Sequence, residues 1–192
     1  MENMIRWRKE QQTDKRFRIW EGIGLLLILA LGVEFYFFQY GILKSIRYLV
    51  LLPGLFVIAW IDQKSKRIPN KLLVALLILR SVILLLECVA YSNYWMTLLL
   101  TSLTGFLLGG GMFLVCYLIA RGGIGAGDVK LFAVLGYYLG TGGVFGTAFF
   151  TVLFAAVYSV IRLIRRTADL KQEIPFAPFV LAGTIVAMGL GM

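Results

Sequence analysis

Four aspartates occur in the chain, and two of them stand where long apolar runs break: Asp62 in "AWIDQKSKRIPN" and Asp128 in "GIGAGDVKLF". The other two, Asp14 and Asp169, fall in charged polar segments where solvation accounts for them. Carboxylates brought into one pocket cannot easily both ionise, so a pair can hold a single proton. Such a pair can take a proton from water and return one to a leaving amine. Composition closes other routes. The chain has no His to act as base or ligand, and its 2 cysteines, Cys88 and Cys116, both lie inside apolar runs, which leaves neither a zinc cluster nor a disulfide framework.

The elements that must carry these residues are membrane helices. Of the 192 residues, 60% are hydrophobic and 15% charged, well outside the range of a water-soluble domain. Apolar runs of about 20 residues can cross the roughly 30 Å hydrocarbon core of a bilayer as helices. The runs predict helices over residues 20–38, 46–61, 72–90, 96–120, 129–141, 144–161 and 174–191. The first run has basic residues before it but no small-residue cleavage site, so it reads as a retained span rather than a signal peptide. The expected architecture is an all-α polytopic membrane protein with a basic arm over 1–19, an extra transmembrane helix over 20–45 and a six-helix core over 46–192.

Charge sets the expected orientation. Arg6, Arg8, Lys9, Lys15, Arg16 and Arg18 precede the first helix, and Lys64, Lys66, Arg67 and Lys71, then Arg121 and Lys130, then Arg162, Arg165, Arg166 and Lys171 fall in loops on the same side. The opposite loops hold only Lys44 and Arg47, while Arg80 falls within a span. The positive-inside rule then puts the N-terminus in the cytoplasm and the C-terminus outside. Basic residues dispersed over short loops do not make a nucleic-acid surface, so the net charge of +9 reads as topology and contact with the lipid bilayer.

In this topology Asp62 closes the second helix and Asp128 opens the fifth, so both face the cytoplasm at similar depth. Each has an ordinary reading as well. Asp128 stands where an N-cap belongs. Asp62 lies at a helix C-terminus, where the macrodipole disfavours negative charge, but Lys64, Lys66 and Arg67 are available as surface partners. The length of the fifth helix favours a function for Asp128. From Val129 to Thr141 it extends only about 20 Å, so a helix reaching the outer interface begins below the cytoplasmic surface. A carboxylate at such depth is costly and marks a functional site when it faces protein or water. Gly122, Gly123, Gly125 and Gly127 leave irregular backbone around it, tolerable there only beside a cavity or inside protein. Gly105, Gly109, Gly110 and Gly111 form a different set, small residues suited to close helix packing.

Three segments carry a family resemblance. "GAGD" at residues 125–128, followed by Val129-Lys130-Leu131, resembles the GxGDxKL signature of type IV prepilin peptidases, which are GxGD-type intramembrane aspartyl proteases. "WIDQKSKRIPNKLL" at 60–73 is similar to that family's first catalytic segment, with Ile68, Pro69 and Asn70 as its Ile-Pro-Asn. "EIPFAPFVLAG" at 173–183, with Pro175, Phe176 and Pro178, resembles the Ile-Pro-Phe-Gly-Pro-Phe segment that opens the family's last helix. The resemblance covers about residues 46–192. It implies a multi-pass aspartic endopeptidase of the cytoplasmic (inner) membrane that removes the basic leader from type IV prepilin or pseudopilin precursors. Asp62 and Asp128 match the two catalytic aspartates; Gly125, Gly127, Lys130, Ile68, Pro69, Asn70, Pro175, Phe176 and Pro178 match supporting motif positions. Water is the nucleophile, and neither a metal nor an organic cofactor is implied. Physically, Pro175 and Pro178 suit the first turn of a helix, and Lys130 can contact lipid phosphates or snorkel.

The chain departs from the family pattern at Ala177, where Gly is usual, and in its extra first helix, which includes Glu21 and Glu34. Larger members carry a cytoplasmic segment with paired CxxC motifs and also N-methylate the product. The short "QYGILKS" at 39–45 leaves no room for it, so N-methyltransferase activity is not expected. Two other readings compete. Proteases of the presenilin or signal-peptide-peptidase type share GxGD, but their first Asp usually sits in a Tyr-Asp, whereas Trp60-Ile61-Asp62 here precedes a basic loop. A small proton-coupled transporter could use both carboxylates as a relay, but no second glycine-rich break suggests its inverted repeat.

Overall fold

The computed structural model describes residues 32, 41–119, 125–165 and 174–191. The basic arm and, apart from Gly32, the helix expected over 20–38 lie outside them, as do Gly122 and Gly123. The chain divides into two units, Met1–Gly41 and Ile42–Met192. Among the described residues the second unit contains α1 (Ile42–Ser65), α2 (Asn70–Ala90), α3 (Trp95–Ile119), α4 (Ala126–Ile164) and α5 (Ala177–Gly189), with a 3-10 turn at Ser92–Tyr94 between α2 and α3. The first four are long and apolar enough to cross a membrane. In hydrocarbon every backbone polar group must be satisfied internally, which helices achieve within one segment. The protein is thus an all-α polytopic membrane protein.

The α4 segment is not one rod. Gly140 interrupts it with φ 74° and ψ −172°, outside the helical region. Gly105 of α3 lies against the backbone of both Gly136 and Gly140, while Gly109, one turn along, meets both the Phe132 carbonyl and the Val144 side chain. In a straight helix residues 132 and 144 would be about 18 Å apart. Their sharing one level of α3 means that the chain reverses at Gly140 and that the arms 126–139 and 141–164 run antiparallel. They correspond to the separate helices expected over 129–141 and 144–161, with the first beginning earlier, at Ala126.

The first arm occupies the centre of the bundle. Leu131, Phe132, Ala133, Val134, Leu135 and Tyr138 are all buried, as befits a helix apolar all round. Leu85 of α2, Leu107 of α3 and Phe149 of the second arm instead turn apolar side chains outward. α5 packs against α1 and α4, with Gly183 seated on Thr147 and Thr151 of the second arm. α1 ends in a left-handed residue, Lys66 (φ 51°), whose N–H donates to the Asp62 carbonyl at 2.8 Å. Pro69 then holds extended backbone (φ −73°, ψ 116°) and α2 starts at Asn70.

Candidate active site

The end of α1 and the start of the first α4 arm meet at one end of the bundle. Glycine makes the approach possible, since a Cβ at Gly127 would lie only 3.1 Å from the Cβ of Ile68 in the α1–α2 loop. Beside that contact the Lys130 ammonium donates to Oδ1 of Asn70 at 3.1 Å. Residues from two of the motif segments are therefore in direct contact, although 60 positions separate the last pair.

Asp62 lies in the last turn of α1, not beyond its end, and is 5% exposed. Its carboxylate turns to distant backbone: Oδ2 accepts the N–H of Ala177 at 2.9 Å. Ala177 is the first residue of α5, so the carboxylate of one helix's C-terminal turn faces the positive end of another helix's dipole. Pro178 occupies the first turn of α5, where its missing N–H costs no helical hydrogen bond.

Asp128 is half-buried and occupies the third helical position of the first arm. The N-cap expected there is instead Gly125. Asp128 Oδ2 accepts the Gly125 N–H at 3.0 Å, and the Asp128 N–H donates to the Gly125 carbonyl at 3.0 Å. This is the reaching-back half of a capping box, supplied by the side chain at the third position. A Cβ on Gly125 would fall 3.1 Å from that carboxylate oxygen. Both carboxylates are thus oriented by backbone N–H groups at helix N-termini.

Phe176 of the third segment joins two aromatic residues that sequence reasoning does not single out. Phe113 of α3 and Phe132 of the first arm stack with ring centroids 3.6 Å apart. The Phe176 ring stands 6.0 Å from the first and 6.2 Å from the second. Phe132 is one turn from Asp128, so the cluster braces the segment between Asp128 and the α5 N-terminus. Inside uniformly apolar runs nothing distinguishes Phe113 or Phe132 from neighbours that face lipid.

Several apolar helices that bring two carboxylates from distant segments to one end of the bundle define the class, an all-α polytopic membrane protein. Comparison with known proteins makes the class specific. The family model for the type IV leader peptidase family matches residues 49–160, which include both Asp62 and Asp128, and the chain belongs to that family. It is 33% identical over 168 residues to the prepilin leader peptidase/N-methyltransferase of Bacillus subtilis (strain 168), a match covering 87% of this chain. The chain spans 63% of that relative's length. No solved structure matches the chain.

Proposed function

We propose that the chain is an aspartic endopeptidase that cleaves the leader from type IV prepilins or pseudopilins at the cytoplasmic membrane face, with Asp62 and Asp128 as the catalytic pair. The observation that carries this reading is the convergence of two carboxylates, from α1 and α4, at one end of the bundle, each held by a backbone N–H. With one carboxyl protonated and one ionised, the ionised group takes a proton from water as the water oxygen bonds to the scissile carbonyl carbon. The protonated group stabilises the tetrahedral oxygen, and a proton passes to the amine as the C–N bond breaks. The family membership and the prepilin leader peptidase named in the comparison support the substrate class.

In this reading the core over 46–192 does the chemistry, with the N-terminus cytoplasmic and the C-terminus outside. Gly125 leaves room for the Asp128 carboxylate and Gly127 for the Ile68 side chain, Lys130 with Asn70 fastens the first arm to α2, and Ile68, Pro69, Pro175, Phe176 and Pro178 shape the two segments that flank Asp62. Methyl transfer is not expected in this reading, since the 2 cysteines, Cys88 and Cys116, stand singly and form none of the paired CxxC motifs of the larger members. The test is leader cleavage of a co-expressed prepilin, read as a gel shift, in wild type, Asp62→Asn and Asp128→Asn, each checked for membrane accumulation. Both variants are expected to lose processing. Processing retained in either one returns that Asp to the role of a helix cap or topology charge.

A further inference from the structure

Three charged side chains with no part in this site cluster at the far end of the bundle. Arg80 of α2 is fully buried and Glu87, two turns along the same helix, nearly so. The Arg80 guanidinium donates from Nε to the Tyr137 carbonyl at 3.1 Å, from Nη1 to Glu87 Oε2 at 2.8 Å and from Nη2 to Ser102 Oγ at 3.0 Å. The other oxygen of Glu87 pairs with Nη1 of Arg47 on α1 at 3.7 Å. The result is a continuous polar chain, Arg47 to Glu87 to Arg80 to the Tyr137 carbonyl. It begins on the helix that carries Asp62 and ends on the arm that carries Asp128. Arg47 precedes Asp62 by about 22 Å of helix, and Tyr137 follows Asp128 by about 14 Å.

Stability alone is a poor reason to keep such a cluster. Charges inside a membrane are expensive and rare, and apolar replacement of a buried ion triad is often neutral or stabilising. The set is also incompletely satisfied, since the buried Nε of Arg47 has no hydrogen-bond partner among the described residues. What the cluster supplies is direction. Tyr137 belongs to the last turn before the Gly140 break, where helical carbonyls run out of partners and a cation is welcome. The planar guanidinium holds three acceptors at fixed angles, as a lysine ammonium on a flexible stem does not. A second contact, the buried Tyr138 hydroxyl donating to the Leu76 carbonyl at 2.8 Å, sets the same arm along α2.

We propose that Arg47, Glu87 and Arg80 are positioning residues that couple α1 to the first arm of α4 and so hold the Asp62- and Asp128-bearing helix ends in fixed relation from the opposite end of the bundle. The consequence for catalysis rests on the peptidase reading; the coupling itself does not, and the two are tested separately. For catalysis, Arg47→Met, Glu87→Met and Arg80→Met are combined in one variant, and Arg80→Lys is made alone. With thermal midpoints in detergent within a few degrees of wild type, leader cleavage is expected to lose at least tenfold in kcat with KM changed less than twofold. Arg80→Lys, which keeps the charge and loses the fork, should lose several-fold in kcat. Folded variants that cleave at the wild-type rate overturn the proposal.

For the coupling, Ile68→Cys and Gly127→Cys are introduced with Cys88→Ala and Cys116→Ala. The 3.1 Å separation of the Ile68 Cβ from a Cβ at position 127 lies near the range a disulfide needs. Oxidative cross-linking should slow at least fivefold when Arg80→Lys or Glu87→Gln is added, and an unchanged rate overturns the proposal. If wild type fails to cleave a prepilin, the peptidase reading falls while the cross-linking rate still decides whether the cluster fixes the arm.

Discussion

An alanine at Gly105 would press its methyl group on the carbonyl oxygen of Gly136 and lie 2.8 Å from the Gly140 backbone. Neither neighbour can swing aside, because both are main chain in packed helices. Carbon contacts are optimal at about 3.5–4.0 Å, so α3 and the first α4 arm must separate by roughly 1 Å. Overpacking of this kind costs about 1–3 kcal/mol, offset by about 0.5–1 kcal/mol from the better helix propensity of alanine. The net loss, about 1–2 kcal/mol, corresponds to a fall in thermal midpoint of about 2–8 °C for a chain of this size. Activity should suffer more, since a shift of about 1 Å in positioned groups can cost about 100-fold in rate. Six positions further along α3, a methyl group added at Gly111 would have nothing within 4 Å, and one at Gly110 would meet only Ala133, its Cβ at 3.0 Å. Thermal unfolding in detergent and leader cleavage, measured across the three variants, should therefore find Gly105→Ala severe, Gly110→Ala mild, and Gly111→Ala neutral in cleavage with a slightly raised thermal midpoint. Equal behaviour of Gly105→Ala and Gly111→Ala would refute the placement of α3 on α4.

Three further outcomes are expected. Lys66→Gly removes the left-handed strain that closes α1, so the thermal midpoint should rise by a few degrees, consistent with about 1 kcal/mol; a fall would show that the Lys66 side chain contributes more than its backbone costs. Tyr138→Phe deletes the buried hydroxyl that donates to Leu76 and should cost about 0.5–1.5 kcal/mol in the same assay, with no loss if the hydroxyl is dispensable. Purified chain incubated with prepilin and a methyl donor should release the mature pilin with an unmodified N-terminus, which mass spectrometry of the product checks directly.

Composition is enough to establish that the protein is built of membrane helices, because 60% hydrophobic residues and runs of spanning length leave few other ways to satisfy the backbone. Asp62 and Asp128 are equally legible, because an acidic residue beside an apolar run stands out on a transfer-energy argument that needs no partner. A boundary between the helices expected over 129–141 and 144–161 is legible too, but that the chain reverses at Gly140 is seen only in the structure. Local helix ends are harder to read. Sequence pattern suggests Asp128 as the N-cap, but Gly125 has that position and Asp128 reaches back from the third helical residue; either geometry suits the same residue type.

What the carboxylates meet depends on the fold as a whole. The partner of Asp62 is a backbone N–H 115 positions away, and a backbone donor leaves no trace in residue type. The same holds for the glycines of α3, since 105 and 109 face backbone while 111 faces open space, a distinction set by which side of the helix the neighbouring chain approaches. Arg80 and Glu87, two turns apart on α2, share a face in the sequence pattern, yet only folding brings Arg47, Ser102 and the Tyr137 carbonyl to them. Residue types announce an unusual charge; the approach of distant backbone decides what that charge holds in place.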